Sequence, residues 1–161
     1  MTGVVIRKIR QDDVDGFRAA LGSVAAEGRW LATRTLPPLE KTQAFIANNI
    51  ANGYPQFVAE KDGVVIGWCD VLPRNLDDTS TGVLGMGLIA AYRGKGYGCA
   101  LMNATVAAAK AFGFKNICLD VRTDNSAAIG LYKKAGFEIQ DEYMRDGECD
   151  NATIYRMVLK Q

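Results

Sequence analysis

Glycines, two cations and the start of a helix coincide in one segment of the chain, "AAYRGKGYGCALM", which covers residues 90–102. Its three glycines would let consecutive backbone N–H groups turn toward one anion without interference from a Cβ atom. Arg93 and Lys95 add positive charge, and the first turn of a helix offers unpaired N–H groups and the positive end of its dipole. The order of strand, glycine loop and helix therefore predicts a cradle for a pyrophosphate.

Two common nucleotide-binding patterns do not fit this segment. The Walker pattern G-x-x-x-x-G-K-[ST] needs Ser or Thr where the chain has Gly96, and a first glycine where it has Ile89. The dinucleotide fingerprint is matched formally by residues 85–90, but these lie inside a predicted strand. Lys110 also stands where that fold places its ribose-binding acid. A domain that binds ATP through this loop is disfavoured, since it also lacks an evident magnesium site.

The composition excludes several kinds of chemistry. The chain of 161 residues contains no histidine, which rules out Ser-His-Asp and Cys-His hydrolysis, H-E-x-x-H proteases and His-ligated zinc. Its four cysteines are far apart, without C-x-x-C spacing, which predicts reduced, mostly buried thiols and no metal site. The net charge of +1 provides no footprint for nucleic acid or an anionic membrane. Without an apolar span or a signal peptide, we expect a cytoplasmic protein.

Hydrophobic periodicity divides the chain into the elements of a single domain over residues 1–161. The predicted elements are a strand over 4–9, helices over 11–27 and 38–51, a hairpin over 55–73 that turns at Asp62-Gly63, a glycine-containing strand over 81–89, a helix over 96–112, a buried strand over 116–121, a helix capped by Asn125 or Ser126, and strands over 137–145 and 152–160. The second helix is expected to turn Ala44, Phe45 and Ile50 inward. This order predicts an α/β protein of the α+β type around a mainly antiparallel sheet.

Two motifs give the chain a family resemblance. The segment "LGMGLIAAYRGKGYGCALM" resembles the pyrophosphate-binding segment of the GNAT superfamily of N-acetyltransferases, with Arg93, Gly96 and Gly98 in its Arg/Gln-x-x-Gly-x-Gly/Ala pattern. The segment "LDVRTDNSAAIGLYKKAGFE" resembles the later motif in which an asparagine, and a tyrosine seven residues on, flank the pantetheine arm and thioester. Asn125 and Tyr132 match that spacing. The resemblance extends to both ends of the chain.

The resemblance implies a GNAT-like fold of about seven strands and about four helices, with a V-shaped split between strands four and five. In that split a bulged fourth strand would pair with the pantetheine arm, and Gly85 and Gly87 would suit the bulge. The implied cofactor is acetyl-CoA, as acetyl donor, without a metal. The residues implied to bind it are Gly87, Leu88, Ile89, Arg93, Gly94, Lys95, Gly96, Tyr97, Gly98, Cys99, Asn125 and Tyr132.

The implied activity is an acyltransferase reaction, in which a primary amine attacks acetyl-CoA directly in a ternary complex. By resemblance, the N–H of Leu88 would be an oxyanion donor and Tyr132 would protonate the leaving thiolate, although its apolar helix face also fits a packing role. Asp120 interrupts an apolar strand, where burial would raise its pKa to a value useful for a base. A structural role for Asp120, Asp70 as the base, and an ordered water as the base remain alternatives. Asn125 also fits a plain helix cap.

The acceptor is left open by the sequence. By resemblance, the segment "EGRWLATRTLPPLE" lies beside the acceptor pocket, where Trp30 would form an apolar wall and Arg29 or Arg34 would hold a carboxylate. We expect a small-molecule amine as partner, no nucleic acid and no membrane, with a homodimer also possible. The competing function is a non-catalytic sensor of acetyl-CoA with the same fold, which the intact pair Asn125 and Tyr132 disfavours.

Overall fold

The structure of the protein, a computed structural model, describes residues 3–31, 35–146 and 151–160. Its strands are β1 (Val4–Lys8), β2 (Gln56–Lys61), β3 (Val64–Pro73), β4 (Thr81–Leu88), β5 (Asn116–Arg122), β6 (Glu138–Asp146) and β7 (Asn151–Lys160). Its α-helices are α1 (Val14–Ala26), α2 (Leu39–Asn52), α3 (Tyr97–Phe112) and α4 (Ser126–Lys134). Short 3-10 turns precede α1, at Gln11–Asp13, and follow β4, at Ala90–Tyr92.

The seven strands form one mixed sheet in the order β1-β2-β3-β4-β5-β7-β6. Neighbouring strands are antiparallel except β4 and β5, which run parallel. The predicted fold class and element order are therefore confirmed. The hairpin between β2 and β3 turns at Asp62 and Gly63, whose φ angles of 50° and 81° fit a two-residue turn with both central residues left-handed. Among the described residues, no helix is long and apolar enough to cross a membrane.

The helices cover the two faces of the sheet in pairs. One hydrophobic core contains Leu101 of α3 and Tyr132 of α4 together with Cys69 of β3. A second core contains Phe17 of α1 and residues of α2 together with Trp68, the neighbour of Cys69 along β3. Because successive side chains of a strand point to opposite faces, the two cores lie on opposite sides of the sheet. We name these sides the α3/α4 face and the α1/α2 face.

The inward side of α2 differs from the prediction. Its buried residues are Thr42, Ile46 and Asn49. The residues expected to face inward, Ala44, Phe45 and Ile50, are exposed. Asn49 is tolerated inside because its amide donates a hydrogen bond of 2.9 Å to Oε1 of the buried Gln56 on β2. A polar contact between two elements therefore decided the orientation of the helix, and hydrophobicity alone predicted the wrong face.

The predicted split between β4 and β5 is present. The two strands pair only from Thr81↔Asn116 to Val83↔Cys118 and separate beyond that point. On the other side of β4, the N–H of Ile89 donates to the carbonyl of Ile66 on β3 at 2.9 Å. In an antiparallel pair, alternate residues direct their backbone groups to opposite sides. The residues that direct N–H and C=O groups into the split are therefore Leu84, Met86 and Leu88.

The glycines of β4 have a packing role and form no bulge. The strand keeps one register with β3 along its whole length, so the bulge expected at Gly85 and Gly87 is wrong. A Cβ atom at Gly87 would overlap the indole ring of Trp68. A Cβ atom at Gly85 would meet only Oδ1 of Asp70 among the described atoms, at an ordinary contact distance of 3.5 Å. Glycine is therefore required at position 87 because a neighbouring ring approaches the backbone closely.

This difference between the two glycines predicts a difference in stability. Gly87→Ala should lower the free energy of unfolding by about 1–3 kcal/mol, because its methyl group would displace the Trp68 ring. The matched control Gly85→Ala should change it by no more than about 0.5 kcal/mol or be slightly stabilising. The measurement is urea denaturation followed by tryptophan fluorescence. Equal midpoints for the two variants would contradict the packing explanation.

Candidate active site

The predicted anion cradle lies where the chain leaves the split at the end of β4 and enters α3. Gly94 and Gly96 have φ angles of 76° and 88°, in the left-handed region that favours glycine. A Cβ atom at either position would meet no described atom within 4 Å. Gly96 is the N-cap of α3, and no side chain of the described residues caps the first turn. The first N–H groups of α3 are therefore directed at an open space, which suits a bound anion.

Other predicted residues of the cradle contribute unequally. The side chains of Lys95 and Cys99 are exposed. Gly98 lies in the first turn of α3. The Tyr97 side chain is buried in the core of the α3/α4 face, with 9% of the residue exposed, so only its backbone faces the cradle.

Arg93 is not the free cation that the sequence suggested. Its guanidinium forms two hydrogen bonds, of 2.8 and 2.7 Å, with the carboxylate of Glu27 at the end of α1. Its Nε donates a third, of 2.9 Å, to the carbonyl of Leu88. The hydrogen bonds from Arg93 hold the pKa of Glu27 below its usual value. Arg93 thus ties the end of β4 to the end of α1, and its charge is already paired.

Glu27 escaped the sequence analysis, because nothing local in the sequence marks a contact with a residue so far along the chain. Its carboxylate also accepts a hydrogen bond of 3.1 Å from Nε1 of Trp30. Arg29 lies over the Trp30 ring, 4.4 Å from its centroid, and 4.0 Å from the carboxylate of Asp124 after β5. The predicted acceptor segment therefore reaches both sides of the split. Arg34 lies outside the described residues.

Only part of the predicted cofactor contact on β4 has the required direction. Leu88 directs its N–H into the split, as the prediction needs, whereas its carbonyl accepts a hydrogen bond from Nε of Arg93. The N–H of Ile89 is used by Ile66 on β3. Gly87 is paired with Trp68 and also directs its backbone groups at β3. The cofactor contacts of Gly87 and Ile89 stay predictions, although the backbone groups of these two residues face β3. The alternation along the strand adds Met86, which was missed, to the residues that direct backbone groups into the split.

Asn125 and Tyr132 belong to the start and the body of α4, and Tyr132 lies in the same hydrophobic core as Leu84 of β4. The Asn125 side chain caps this helix by accepting a hydrogen bond of 3.2 Å from the N–H of Ala128. Tyr132 is 7% exposed, and its ring lies 5.9 Å from that of Phe137. Burial, and to a smaller extent the nearby Cys69, raises the pKa of the Tyr132 hydroxyl. The hydroxyl therefore keeps its proton at neutral pH. No group among the described residues hydrogen-bonds this hydroxyl, although buried tyrosines usually find a partner.

Asp120 does not have the environment that was expected of a base. Its carboxylate accepts hydrogen bonds of 2.9 and 3.0 Å from Arg156 and one of 2.6 Å from the hydroxyl of Tyr143. Its side chain is 31% exposed. Partial desolvation raises the pKa of Asp120, but the hydrogen bonds lower it by more, so the pKa lies below its usual value. The expectation of a buried carboxylate with a raised pKa is therefore wrong. The buried side chains of β5 at alternate positions are Ile117, Leu119 and Val121.

Asp70 has the environment that Asp120 lacks. It lies on β3 opposite Gly85 and is 9% exposed. Burial raises its pKa to about 7, against the opposing hydrogen bond of 3.5 Å that it accepts from Gln56. Gln56 in turn accepts a hydrogen bond from Asn49 of α2, so that the three side chains form a buried polar chain. Asp70 therefore exchanges its proton in the neutral pH range.

Three cysteines are described, and none of them is in a disulfide. Cys69 and Cys118 are buried and Cys99 is exposed. Cys149 lies outside the described residues. The described part of the chain brings together no group of three or more acidic or cysteine side chains that would hold a metal ion.

Known proteins resemble the chain in sequence and fold. Residues 24–137 match the model of the acetyltransferase (GNAT) family. The chain is 37% identical over 107 residues to an N-alpha-acetyltransferase of Sulfurisphaera tokodaii, a match that covers 57% of this chain and 63% of that protein, less than two thirds of its length. It is 26% identical over 146 residues to the L-methionine sulfoximine/L-methionine sulfone acetyltransferase of Pseudomonas aeruginosa, covering 89% of this chain and 85% of that protein.

A solved structure shows the same fold over nearly the whole chain. It is a GNAT superfamily phosphinothricin acetyltransferase from Sinorhizobium meliloti, in complex with AcCoA. The TM-score is 0.89 at 22% identity, and the similarity covers 99% of this chain and 89% of that chain. At this identity the similarity supports the fold only.

The environment of Asp70 predicts a pH-dependent stability. An aspartate titrates near about pH 3.9 in an unfolded chain, whereas the pKa of Asp70 in the folded protein is about 7. Between these values the folded state holds a proton that the unfolded state has released. The Asp70 contribution to the free energy of unfolding is therefore complete at low pH and is lost as the pH rises to about 7, by roughly 1–4 kcal/mol.

Asp70→Asn should remove this part of the pH dependence. The measurement is urea denaturation of both proteins between about pH 4 and pH 8. Asp120→Asn is the control: because the pKa of Asp120 is lowered, its stabilising effect is lost only below about pH 4, and this variant should keep the wild-type pH dependence between about pH 4 and pH 8. The same pH dependence in wild type and Asp70→Asn would contradict the raised pKa.

Proposed function

The chain belongs to the acetyltransferase (GNAT) family, as its two motifs suggested, and on that premise we propose that it transfers an acetyl group from acetyl-CoA to the primary amine of a small molecule. The observation that carries the proposal is the position of the α3 N-terminus, which no side chain of the described residues caps, directly after the part of β4 that separates from β5. We treat residues 1–161 as a single acetyltransferase domain.

We infer a small acceptor from one relative. The Pseudomonas aeruginosa protein, which matches most of this chain, is named for the acetylation of L-methionine sulfoximine and L-methionine sulfone. The N-alpha-acetyltransferase of Sulfurisphaera tokodaii matches a shorter part of the chain. A peptide N-terminus is therefore the alternative acceptor that the functional assay must include.

The residues at the split fit the donor acetyl-CoA, which supplies its acetyl group as a thioester. In the proposal, the N–H groups of residues 94–99 bind the pyrophosphate, and Lys95 adds a positive charge beside it. The backbone of Met86 and Leu88 pairs with the pantetheine arm. Arg93 holds the loop in position through Glu27 and Leu88. Asn125 acts by holding the start of α4, and with it Tyr132, beside the split.

Two groups of the chain would assist the transfer itself. An N–H of Leu88 or Met86 donates a hydrogen bond to the thioester carbonyl oxygen, where negative charge develops during the attack. The hydroxyl of Tyr132 donates a proton to the leaving sulfur, and this role is supported because none of the described residues hydrogen-bonds that hydroxyl. Binding of both substrates in one cleft adds the contribution of proximity.

The functional test is an acceptor panel in which free thiol released from acetyl-CoA is measured and the product is identified by mass spectrometry. The panel contains small amines, amino-acid analogues including L-methionine sulfone, aminoglycosides and peptides with a free N-terminus. Release with a small amine supports the proposal. Thiol release with peptides alone would show that the acceptor is a peptide N-terminus and not a small molecule. Binding of acetyl-CoA without thiol release for any acceptor would identify a sensor.

Gly96→Ala should weaken the binding of acetyl-CoA by at least about tenfold, because the new Cβ atom would enter the cradle and the left-handed backbone is unfavourable for alanine. Gly113→Ala is the matched control. Gly113 ends the same helix with a φ angle of 112° and also has an unobstructed Cβ position among the described atoms. Isothermal titration calorimetry gives both affinities, and circular dichroism confirms folding. Equal affinities for the two variants would refute the cradle.

Tyr132→Phe should lower kcat by at least about tenfold while the dissociation constant of acetyl-CoA changes little, because only a proton donor is removed. The melting temperature should not fall, since the hydroxyl has no protein partner among the described residues. Tyr143→Phe removes a hydroxyl that is bonded to Asp120 and serves as control, with an expected kcat within about twofold of wild type. Wild-type kcat in Tyr132→Phe would leave this tyrosine a packing role only.

A further inference from the structure

We propose that Asp70 is the general base that takes a proton from the acceptor's ammonium group, and that Gln56 and Asn49 are its positioning residues. This inference rests on the proposed acetyl transfer and assigns one step of it. The sequence left the base open among Asp120, Asp70 and water, and the contacts of these two carboxylates distinguish them.

The position of Asp70 relative to the split is the first argument. The donor arm would lie in the plane of the sheet beside β4, so an acceptor must approach from one of the two faces. The α3/α4 face is filled by a core that includes Tyr132. On the α1/α2 face, the side chains of Asp120 and Arg156, on β5 and β7, are 31% and 33% exposed. The α1/α2 face beyond β4 is therefore open to an acceptor, and Asp70 lies on this face beside Trp68.

The second argument is the close approach of the carboxylate to β4 at a glycine. Asp70 Oδ1 lies 3.5 Å from where a Cβ atom of Gly85 would be. Gly85 has no side chain to cover the carboxylate, and the next residue, Met86, directs its backbone into the split. The Asp70 carboxylate therefore reaches over β4 toward the place where the thioester would be held. A proton acceptor must lie within hydrogen-bond reach of the amine, directly or through one water.

The third argument is the kind of partner that Asp70 has. Its Oδ2 accepts from Nε2 of Gln56 at 3.5 Å, and Gln56 in turn accepts from Nδ2 of Asn49 at 2.9 Å. Gln56 and Asn49 are each 2% exposed. A buried structural carboxylate normally has a cationic partner, and in the described part of the chain Asp70 has none. The amide chain fixes the orientation of Asp70 without neutralising it.

The surroundings of Asp70 also suit proton exchange. The groups that face it from α2, β2 and β4 are Asn49, Gln56 and Gly85, all uncharged. The neighbouring titratable group is the thiol of Cys69, whose pKa burial raises so that it stays protonated. Desolvation brings the pKa of Asp70 to about 7, close to the operating pH at which a general base is most effective. Asp120 is a weaker base, because Arg156 stabilises its charged form.

The proposed step balances as follows for an acceptor that arrives as an ammonium ion. The Asp70 carboxylate takes one proton, and the neutral amine nitrogen forms a bond to the acetyl carbon. The C–S bond breaks with its electron pair moving to sulfur, which takes a proton from Tyr132. The nitrogen then loses its second proton to solvent, and Tyr132 takes a proton back from solvent. Asp70 releases to solvent the proton that it accepted from the ammonium group. The sum is one amide, one thiol and one free proton.

The test compares two amines in wild type, Asp70→Asn and Asp120→Asn. L-methionine sulfone carries an amine that is mostly protonated at neutral pH, whereas methoxyamine is mostly neutral and needs no initial deprotonation. With the sulfone, Asp70→Asn should lower kcat/KM by at least about tenfold and move the acidic limb of its pH profile from about pH 7 up to the pKa of the free amine, and Asp120→Asn should keep the limb where it is in wild type. With methoxyamine, Asp70→Asn should stay within about threefold of wild type.

Gly85→Ala provides a second variant that keeps the carboxylate and covers its open side. It should lower kcat/KM for the sulfone, with the dissociation constant of acetyl-CoA unchanged, and it decides the question if Asp70→Asn does not fold. An acidic limb that stays at its wild-type position in Asp70→Asn, equal losses with both amines, or full activity in Gly85→Ala would overturn the assignment of Asp70 while acetyl transfer stands. A wild type that binds acetyl-CoA but acetylates no acceptor would overturn both.

Discussion

Parallel strands β4 and β5 stay paired only up to Val83 and Cys118, and the site depends on the backbone groups that are left beside β4. Unpaired N–H and C=O groups inside a sheet are unfavourable unless something hydrogen-bonds them. The chain then leaves β4 through glycines and enters α3 with a free first turn. The same separation of strands therefore gives a binding edge and places a helix N-terminus at its end. An extended ligand with an anionic group satisfies both.

The contacts of Arg93 hold this arrangement at the mouth of the split. Salt bridges at partly exposed positions contribute little to stability when each is taken alone. Arg93, however, makes three hydrogen bonds at once, to the carbonyl of Leu88 and to Glu27, and Glu27 also binds Trp30. The loop expected beside the acceptor and the strand expected beside the donor are therefore fixed to one guanidinium. The contribution of Arg93 is to fix the geometry of the site, because a small displacement of reacting groups lowers the rate strongly.

Local patterns were sufficient to predict the order of elements, the turn at Asp62 and Gly63, and the glycine loop that leads into α3, because each is set by residues adjacent in sequence. The errors all involve partners that are distant in sequence. Alternation along β5 would have indicated that Asp120 shares a face with polar residues, but its partner Arg156 lies 36 residues away. The inward face of α2 depends on the hydrogen bond between Asn49 and Gln56 on another element. Pairs of residues that are so far apart in sequence produce no periodic pattern from which they could be predicted.

Asp70 illustrates why a fold keeps a residue that works against its stability. Burial of a carboxylate without a cationic partner disfavours the charged form, and an uncharged side chain of similar shape would fit the same place with less penalty. The surrounding framework tolerates the group because Gln56 provides a donor and Gly85 leaves one side open. A side chain held so close to its titration point in the folded state has no evident structural purpose. In the assignment proposed above, proton exchange with the acceptor is the role that this position serves.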